Sequence, residues 1–534
     1  MPRDAQSLLS ADAAIPAPLP YNDARSRTDL FAGLLRAKRT FGGKRTAVVD
    51  GDGTSFDYHT ILKGALALGS ALKRHSRAGE HVGVLLPTGI GAVLAFYALQ
   101  AYHRVPAMMN FTAGARNLKA ALTAADVKTI VTARRFVELG ELHDLIAELE
   151  TQVTVLYLED LREGLKLGDK LAGGLGPFLP QLFRRPTGHR KPGVVLFTSG
   201  TEGDPKGVVL SHRNILSNVE QVRAHIGLDP DRDVVFNPLP TFHCFGLTVG
   251  AILPLVAGVK AVMHPSPLQP REIARRIGET QSTILLATDT FISQYARVGQ
   301  AGDLDSVRLA VCGAERVRDE TRQLVRRKFQ IEILEGYGAT EAAPVVAANQ
   351  MEWNKPGTVG RLMAGMESLL EPVDGIDGAG RLKVRGPNVM MGYLRTSNPG
   401  VLEPPQDGWH DTGDIVSIDE DGFIRIRGRV KRFAKIGGEM VSLAVVENCA
   451  SAIWPDHMHA AANLPDPRKG EQIVLLTDCP HANRADITAW AQNHGVSELS
   501  IPRKIYHVDE IPVLGTGKLD YGAVQALART LSER

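Results

Sequence analysis

The sequence predicts an α/β protein: a large N-terminal domain followed by a small α+β C-terminal domain. Three observations carry this reading. Short β-branched runs (RTAVVD, HVGVLLP, KTIVTA, VTVLYLED, GVVLFTSG, KAVMHP, STILLAT, LAVCGAE) alternate with segments of helical spacing such as Tyr58–His75 and Pro270–Ile277. That is the pattern of buried, largely parallel strands joined by helices. Beyond Gly380, strands alternate with Asp-Gly turns and read as antiparallel hairpins. After Lys431 a mixed segment of about 100 residues remains, the size of a small domain. The 534 residues are too many for one core.

Taken in order, residues 1–28 form a polar, Pro/Ala-rich tail, 29–430 the large domain and 431–534 the small one, with a hinge in GRVKR at Lys431. The opening MPRDAQSLLSADAAIPAPLP carries Asp4 and Asp12 and no apolar run, unlike a signal peptide. Val82–Tyr102 has the length to span a bilayer, but Pro87, Gly89 and Gly91 interrupt it. A buried strand, a tight turn and a buried helix fit it better. Residues 165–191 are Gly/Pro-rich, apolar in the middle and basic at the end. They read either as a surface excursion packing its leucines on the domain or as a contact with a membrane surface.

Apolar content of 44% and charged content of 22% are ordinary for a soluble globular chain. Lys+Arg of 61 against Asp+Glu of 59 leaves a formal +2, which argues against nucleic acid as a partner. Cys244, Cys312, Cys449 and Cys479 form no CxxC pair and have no His at zinc-finger spacing, so they read as buried thiols in the reducing cytoplasm.

The segment TSGTEGDPKG (198–207) predicts a phosphate loop. Gly200, Gly203 and Gly207 let backbone N–H groups close around an anion, Thr198, Ser199 and Thr201 add hydroxyl donors, and Lys206 adds a mobile charge. It follows the strand GVVLF, and ligands of open α/β sheets collect at strand C-terminal ends. The P-loop of NTPases does not fit: Pro205 precedes Lys206 and Gly207 follows it, so the magnesium-binding hydroxyl is missing. A Gly-rich surface turn is the bland alternative.

TSGTEGDPKG resembles the phosphate loop of the adenylate-forming enzymes, the group of acyl-CoA synthetases, adenylation domains and luciferases. VCGAE (311–315), GYGATEAAP (336–344), WHDTGD (409–414), GRVKR (428–432) and GTGKLD (515–520) resemble further motifs of that family, in its order and over nearly the whole chain. The resemblance implies a large domain of two α/β subdomains plus a small β-barrel-like part, and a mobile C-terminal domain. It implies activation of a carboxylic acid by ATP and Mg²⁺ and transfer to a thiol.

Carried over residue by residue, Thr198, Ser199, Gly200, Thr201, Gly203 and Lys206 would hold the outer phosphates of ATP. Gly313, Ala314, Glu315 and Gly336 would line the adenine, and Tyr337 would stack on it. Thr340 would donate to the α-phosphate, and Glu341, with Thr201, would hold the magnesium. Asp414 and Arg429 would bind the ribose; a bland Asp–Arg pair would also explain them. Lys518 would stabilise charge at the α-phosphate when the small domain closes. Rotation about Lys431 would then bring Gly437, Gly438 and Glu439 to a pantetheine tunnel.

PLPTFHCFGL (238–247) resembles the stretch beside the acyl pocket, with His243, Phe245 and Gly246, and Gly338 nearby in the fold; a core histidine is the other reading of His243. The apolar runs Leu247–Val256 and Ile284–Thr290 would line an acyl tunnel, which implies a medium- or long-chain fatty acid. The nearest resemblance is to the acyl-ACP synthetase half of the bacterial bifunctional 2-acylglycerophosphoethanolamine acyltransferase/acyl-ACP synthetase, through Glu202, FHCFGLTVG, ILEGYGATEAAPVV, PGTVGR and RFAKIGGEMVSL. No HxxxxD acyltransferase domain precedes the motifs in this sequence. The acyltransferase activity is therefore not carried over, and the resemblance implies holo-acyl carrier protein as the acceptor, with free CoA as the alternative. Arg425, Arg427, Arg429, Lys431, Arg432 and Lys435 would suit an acidic protein partner. A non-catalytic relative would be expected to lack Lys518, Thr340 or Glu341, and all are present. Cytoplasmic residence with contact at the inner membrane completes the expectation.

Overall fold

The computed structural model describes residues 21–533 apart from 199–203, 374–375, 437–438, 467–469 and 514–518, and the backbone but not the side chain of Lys431. All eight β-branched runs are strands. They are distributed between two large sheets that are parallel in their interiors and antiparallel at one or both edges. The nine-stranded sheet runs, in spatial order, from Arg361–Leu362 through Val345–Ala348, Glu332–Gly338, Leu309–Cys312, Ile284–Ala287, Val234–Asn237, Lys260–Met263 and Thr46–Val49 to Ser55–Asp57. The eight-stranded sheet centres on His81–Val84, Val105–Met108 and Pro192–Thr198, which pair in parallel.

One contiguous core fills the space between the sheets, because their strands are buried on both faces and read as continuous apolar runs. Val82–Tyr102 behaves as its glycines and proline predict. His81–Val84 is a strand, Ile90–Ala101 is a helix, and every helix residue from Ala92 onward is buried except the half-buried Leu94. Among the described residues no helix is long and apolar enough to cross a membrane.

The antiparallel region begins earlier than Gly380. Glu367–Val373 pairs with Ile376–Arg385, and His410–Ile418 and Ile424–Arg429 complete a four-stranded sheet. MMGYL supplies a hairpin strand as expected, Gly392–Arg395 against Asn398–Glu403, but this hairpin joins the eight-stranded sheet by pairing with Lys206–Ser211. Separate apolar cores lie within 434–528, around a five-stranded sheet with the helices Leu443–Ile453 and Tyr521–Ser532.

Within the expected tail, Asp23–Ser26 forms a helical turn, and Asp23 pairs with Arg213 at 3.2 Å. Asp29 then caps the helix Leu30–Phe41 through the Ala32 N–H. All four cysteines are buried. Leu165 packs on the domain core, but the other leucines of 165–191 do not. Leu167 is 74% exposed and Leu182 71%, with Leu171, Leu175 and Phe178 also turned outward. The small residues Ala172 and Gly173 face inward instead, because the helix Leu167–Leu175 lies too close to Tyr58–Leu72 for larger ones: a Cβ on Gly173 would stand 3.0 Å from the Lys63 carbonyl.

Candidate active site

Strand pairing brings the ends of the phosphate-loop motif together. Pro192–Thr198 and Lys206–Ser211 are the antiparallel arms of a hairpin, with Thr198 opposite Lys206. Ser199, Gly200, Thr201, Glu202 and Gly203 lie outside the described residues, as do Gly437, Gly438 and Lys518.

At the base of the hairpin, the Lys206 ammonium sits 5.5 Å over the Tyr393 ring. The Tyr393 hydroxyl donates to Glu341 Oε1 at 2.7 Å. Burial first, and then the Glu341 carboxylate, push the Tyr393 phenol up, so it stays a donor. Tyr393 thus ties the phosphate-loop lysine to the acid of GYGATE, and sequence reading missed it because it arrives on the crossing strand. The signal was present as an aromatic in MMGYL. Glu341 keeps one carboxylate oxygen outside this bond, a hard donor of the kind Mg²⁺ takes. The residue therefore fits the expected metal ligand.

Tyr337 and Asp414 meet in a buried hydrogen bond, Tyr337 Oη to Asp414 Oδ2. Arg429, directly opposite Asp414 on the neighbouring strand, donates from Nε to Oδ1 at 3.0 Å. Asp414 is 5% exposed and Tyr337 7%. Burial, then Asp414, raise the Tyr337 phenol well above its ordinary value. The Thr412 hydroxyl accepts from the Asp414 N–H at 3.1 Å and closes the turn of WHDTGD. His410, buried in the same motif, is held below its usual pKa by desolvation, against the opposing pull of Glu341 and the two aspartates. It is a neutral imidazole between the two clusters, also absent from the expected set.

Gly313, Gly336 and Phe245 converge. A Cβ built on Gly313 would meet only the Gly336 carbonyl and the Phe245 ring, both at 3.6 Å. The protein's own packing does not demand glycine there. It does demand it at Gly246, whose Cβ would lie 2.3 Å from the Pro240 carbonyl oxygen, and at Gly338, 2.5 Å from that of Pro344. Ala314 adopts the left-handed region at φ 72°, a strained conformation for a residue with a Cβ. Glu315 is engaged structurally: its carboxylate accepts from the Thr290 N–H at 3.2 Å and hydroxyl at 3.0 Å. Thr340 opens a single 3₁₀ turn that presents Glu341, and the Glu341 carbonyl accepts from the Met390 N–H. The His243 ring packs on Phe242 at 4.7 Å. Glu439, exposed, starts a strand beyond 437–438.

Of the expected tunnel, Leu247 and Ile252 line a small apolar cavity opposite Phe96 and Tyr97 of the helix Ile90–Ala101. Ile284–Ala287 is a sheet strand and not part of that lining. Of the six basic residues after Ile424, Arg432 is half-buried against Glu447 and Arg429 serves Asp414, while Arg425, Arg427 and Lys435 face solvent.

A buried polar helix holds these loops in place. In His212–His225, Asn214 donates to the Pro387 and Val389 carbonyls, and Asn218 both donates to the Val345 carbonyl and accepts from its N–H. Gln221 reaches the Ala364 carbonyl at 2.7 Å. Three amides one helical turn apart therefore satisfy backbone groups of the loops around Glu341, with Asn388 sharing the Val345 carbonyl.

A profile described as AMP-binding enzyme matches residues 35–394. The long-chain-fatty-acid–CoA ligase of Salmonella typhimurium is 29% identical over 336 residues, 60% of this chain; the match spans only 59% of that relative's own length. Among solved structures, the ATP-bound MatB of Rhodopseudomonas palustris superposes with a TM-score of 0.80 at 22% identity, over 95% of this chain and 99% of that one. The o-succinylbenzoate coenzyme A synthetase MenE of Bacillus subtilis, in complex with ATP and magnesium ion, gives 0.77 at 20% identity, over 91% and 98%. At these identities the two structures establish the fold.

Proposed function

The chain belongs to the AMP-binding enzyme family, and on that premise we propose that it activates a medium- or long-chain fatty acid with ATP and passes the acyl group to a phosphopantetheine thiol. One observation carries the reading: the Tyr337–Asp414–Arg429 array, a buried acceptor suited to two ribose hydroxyls, lies within electrostatic reach, Arg429 to Glu341, of the Lys206–Tyr393–Glu341 group, suited to phosphates and a cation.

In the first step a carboxylate oxygen of the fatty acid bonds to the α-phosphorus, the bond from that phosphorus to the bridging oxygen breaks, and pyrophosphate leaves. Such a step needs positioning and charge stabilisation and no protein nucleophile. Thr198 and Lys206, with the loop 199–203, would hold the leaving phosphates, and Thr340 the α-phosphate. Glu341 and Thr201 would hold magnesium, which when bound neutralises phosphate charge. Lys518 would meet the developing charge on closure about Lys431. In the second step the thiol loses its proton to solvent and its sulfur bonds to the acyl carbon, releasing AMP. His243, Phe245 and the 437–439 turn would border the thiol's approach.

The name of the Salmonella typhimurium relative supports CoA as acceptor. The exposed Arg425, Arg427 and Lys435 favour a second acceptor of the same chemistry, an acidic acyl carrier protein. Purified protein incubated with labelled palmitate, ATP and either CoA or holo-carrier protein decides between them. AMP and an acyl thioester are expected; no thioester with either acceptor, for any fatty acid tested, defeats the reading.

The exposed Leu167, Leu171, Leu175, Phe178 and Leu182 also support a peripheral contact with the cytoplasmic face of the inner membrane. Lys166, Lys170, Arg185, Arg190 and Lys191 flank them on the surface, an apolar face with a basic rim suited to anionic lipid. A fatty acid partitioned in the bilayer would then be delivered next to its ligase.

A further inference from the structure

Cys479 has no metal-binding companions at motif spacing in the sequence, yet the fold supplies two. The end of the strand Gly470–Thr477 places Cys479 and His481 beside the turn that follows the helix Leu443–Ile453, which carries His457. One nitrogen of each imidazole and the Cys479 sulfur all lie within 4.8 Å of one another. From this juxtaposition we propose that His457, Cys479 and His481 form a Zn²⁺ site in the small domain, with water as fourth ligand.

The donor set decides the metal. One thiolate and two imidazoles suit zinc and are a poor match for the magnesium of the proposed reaction, which prefers oxygen. Tetrahedral zinc places such ligands roughly 3.3–3.6 Å apart. Closing from separations of up to 4.8 Å needs shifts of up to about 1.5 Å, within reach of rotations of the exposed His481 ring and the half-buried His457 ring.

The surroundings are those of a built site. Asp478 Oδ1 binds His457 Nδ1 at 3.0 Å, which keeps the proton there and leaves Nε2 as the ligating nitrogen. A carboxylate behind a metal-bound imidazole is the usual outer support of zinc ligands. The same Asp478 oxygen accepts from the Met458 N–H at 2.9 Å, tying the His457 turn to the strand end. Cys479 is fixed on both sides of its Cα: its N–H donates to Thr477 Oγ1 at 3.1 Å, and its carbonyl accepts from His507 Nδ1 at 2.9 Å. Cys479 is fully buried and His481 exposed, its ring perpendicular to that of His457 with centroids 5.8 Å apart.

Binding replaces the thiol proton by the metal, so one proton is released per zinc taken up. Zinc would pin the 454–458 turn to the strand, and that turn also carries Asp456, which faces Arg297 of the large domain at 3.6 Å.

The full chain, free of any polyhistidine tag, is equilibrated with Zn²⁺ or Co²⁺ alone and dialysed. One equivalent of metal is expected, with a thiolate-to-cobalt charge-transfer band and a higher midpoint of thermal unfolding when zinc is bound. Cys479→Ser should abolish the charge-transfer band, and His481→Ala, at an exposed position, should weaken zinc affinity at least tenfold without loss of fold. Substoichiometric metal, a cobalt spectrum without thiolate character, or a spectrum unchanged in Cys479→Ser would each overturn the proposal.

Discussion

Asp414→Asn provides the sharpest test of the nucleotide site. The wild-type carboxylate accepts from Tyr337 and Arg429, one on each oxygen. A carboxylate has about four acceptor positions, so each oxygen retains one for a ribose hydroxyl. Hydrogen bonds to a charged acceptor contribute about 1.5–3 kcal/mol each, and every 1.4 kcal/mol is tenfold. Wild-type protein should therefore lose at least roughly tenfold in kcat/KM when ATP is replaced by 2′-deoxy-ATP or 3′-deoxy-ATP. In Asp414→Asn the neutral amide still offers the buried Tyr337 hydroxyl an acceptor, so the fold survives. The charge that strengthens the ribose bonds is gone, and discrimination should shrink to roughly threefold or less. The assay is pyrophosphate release with palmitate, with circular dichroism as the folding control. Equal use of ATP and both deoxy analogues by wild type, or undiminished discrimination by the variant, would refute the ribose assignment.

Other outcomes follow from the same structure. Lys518→Ala should abolish adenylate formation while sparing thioester formation from supplied acyl-AMP; equal loss in both steps contradicts the two-pose scheme. Leu167→Glu with Leu171→Glu should end co-sedimentation with phosphatidylglycerol vesicles and leave activity on soluble acyl donors intact; unchanged sedimentation removes the membrane contact. Burial holds His212 down from 6.5 to about 4, so between those values the unfolded chain binds the extra proton and stability falls as pH falls, by about 3 kcal/mol in all. His212→Asn, which keeps an acceptor for the Leu30 N–H, should flatten the fall in unfolding midpoint from pH 7 to about 4.5, and an equal fall in both proteins refutes this. Asn218→Ala leaves the Val345 N–H unpaired and its carbonyl to Asn388 alone, and should cost about 1–3 kcal/mol by denaturant titration and raise the KM for ATP; a cost below about 0.5 kcal/mol means water replaces the amide.

Much of this was legible in the chain. The eight apolar runs are strands because a β-branched run between turn residues has few other ways to be buried. Asp414 and Arg429 lie opposite each other because a short hairpin fixes its own register. The features that escaped come from elements far apart in sequence. Tyr393 reaches Glu341 and Lys206 only because the hairpin of Gly392–Arg395 and Asn398–Glu403 pairs with Lys206–Ser211 and not with the four-stranded sheet. The stripe Asn214, Asn218, Gln221 looks like an exposed helix face, since nothing local says that loops 340–345 and 387–389 will press their unpaired backbone groups against it.

The chain's own pattern sets the alternation that makes an α/β fold, the order of the motifs proposed to hold phosphate, adenine and ribose, and the hairpin that joins Asp414 to Arg429. These depend on periodicity and short-range geometry, which adjacent residues encode. Tertiary structure alone decided which way the 165–191 leucines face, what clamps the site's loops, and that His457, Cys479 and His481 share one corner of the small domain. Those outcomes depend on which distant surfaces meet, and the energy that selects them comes from burial and hydrogen bonding across the whole fold.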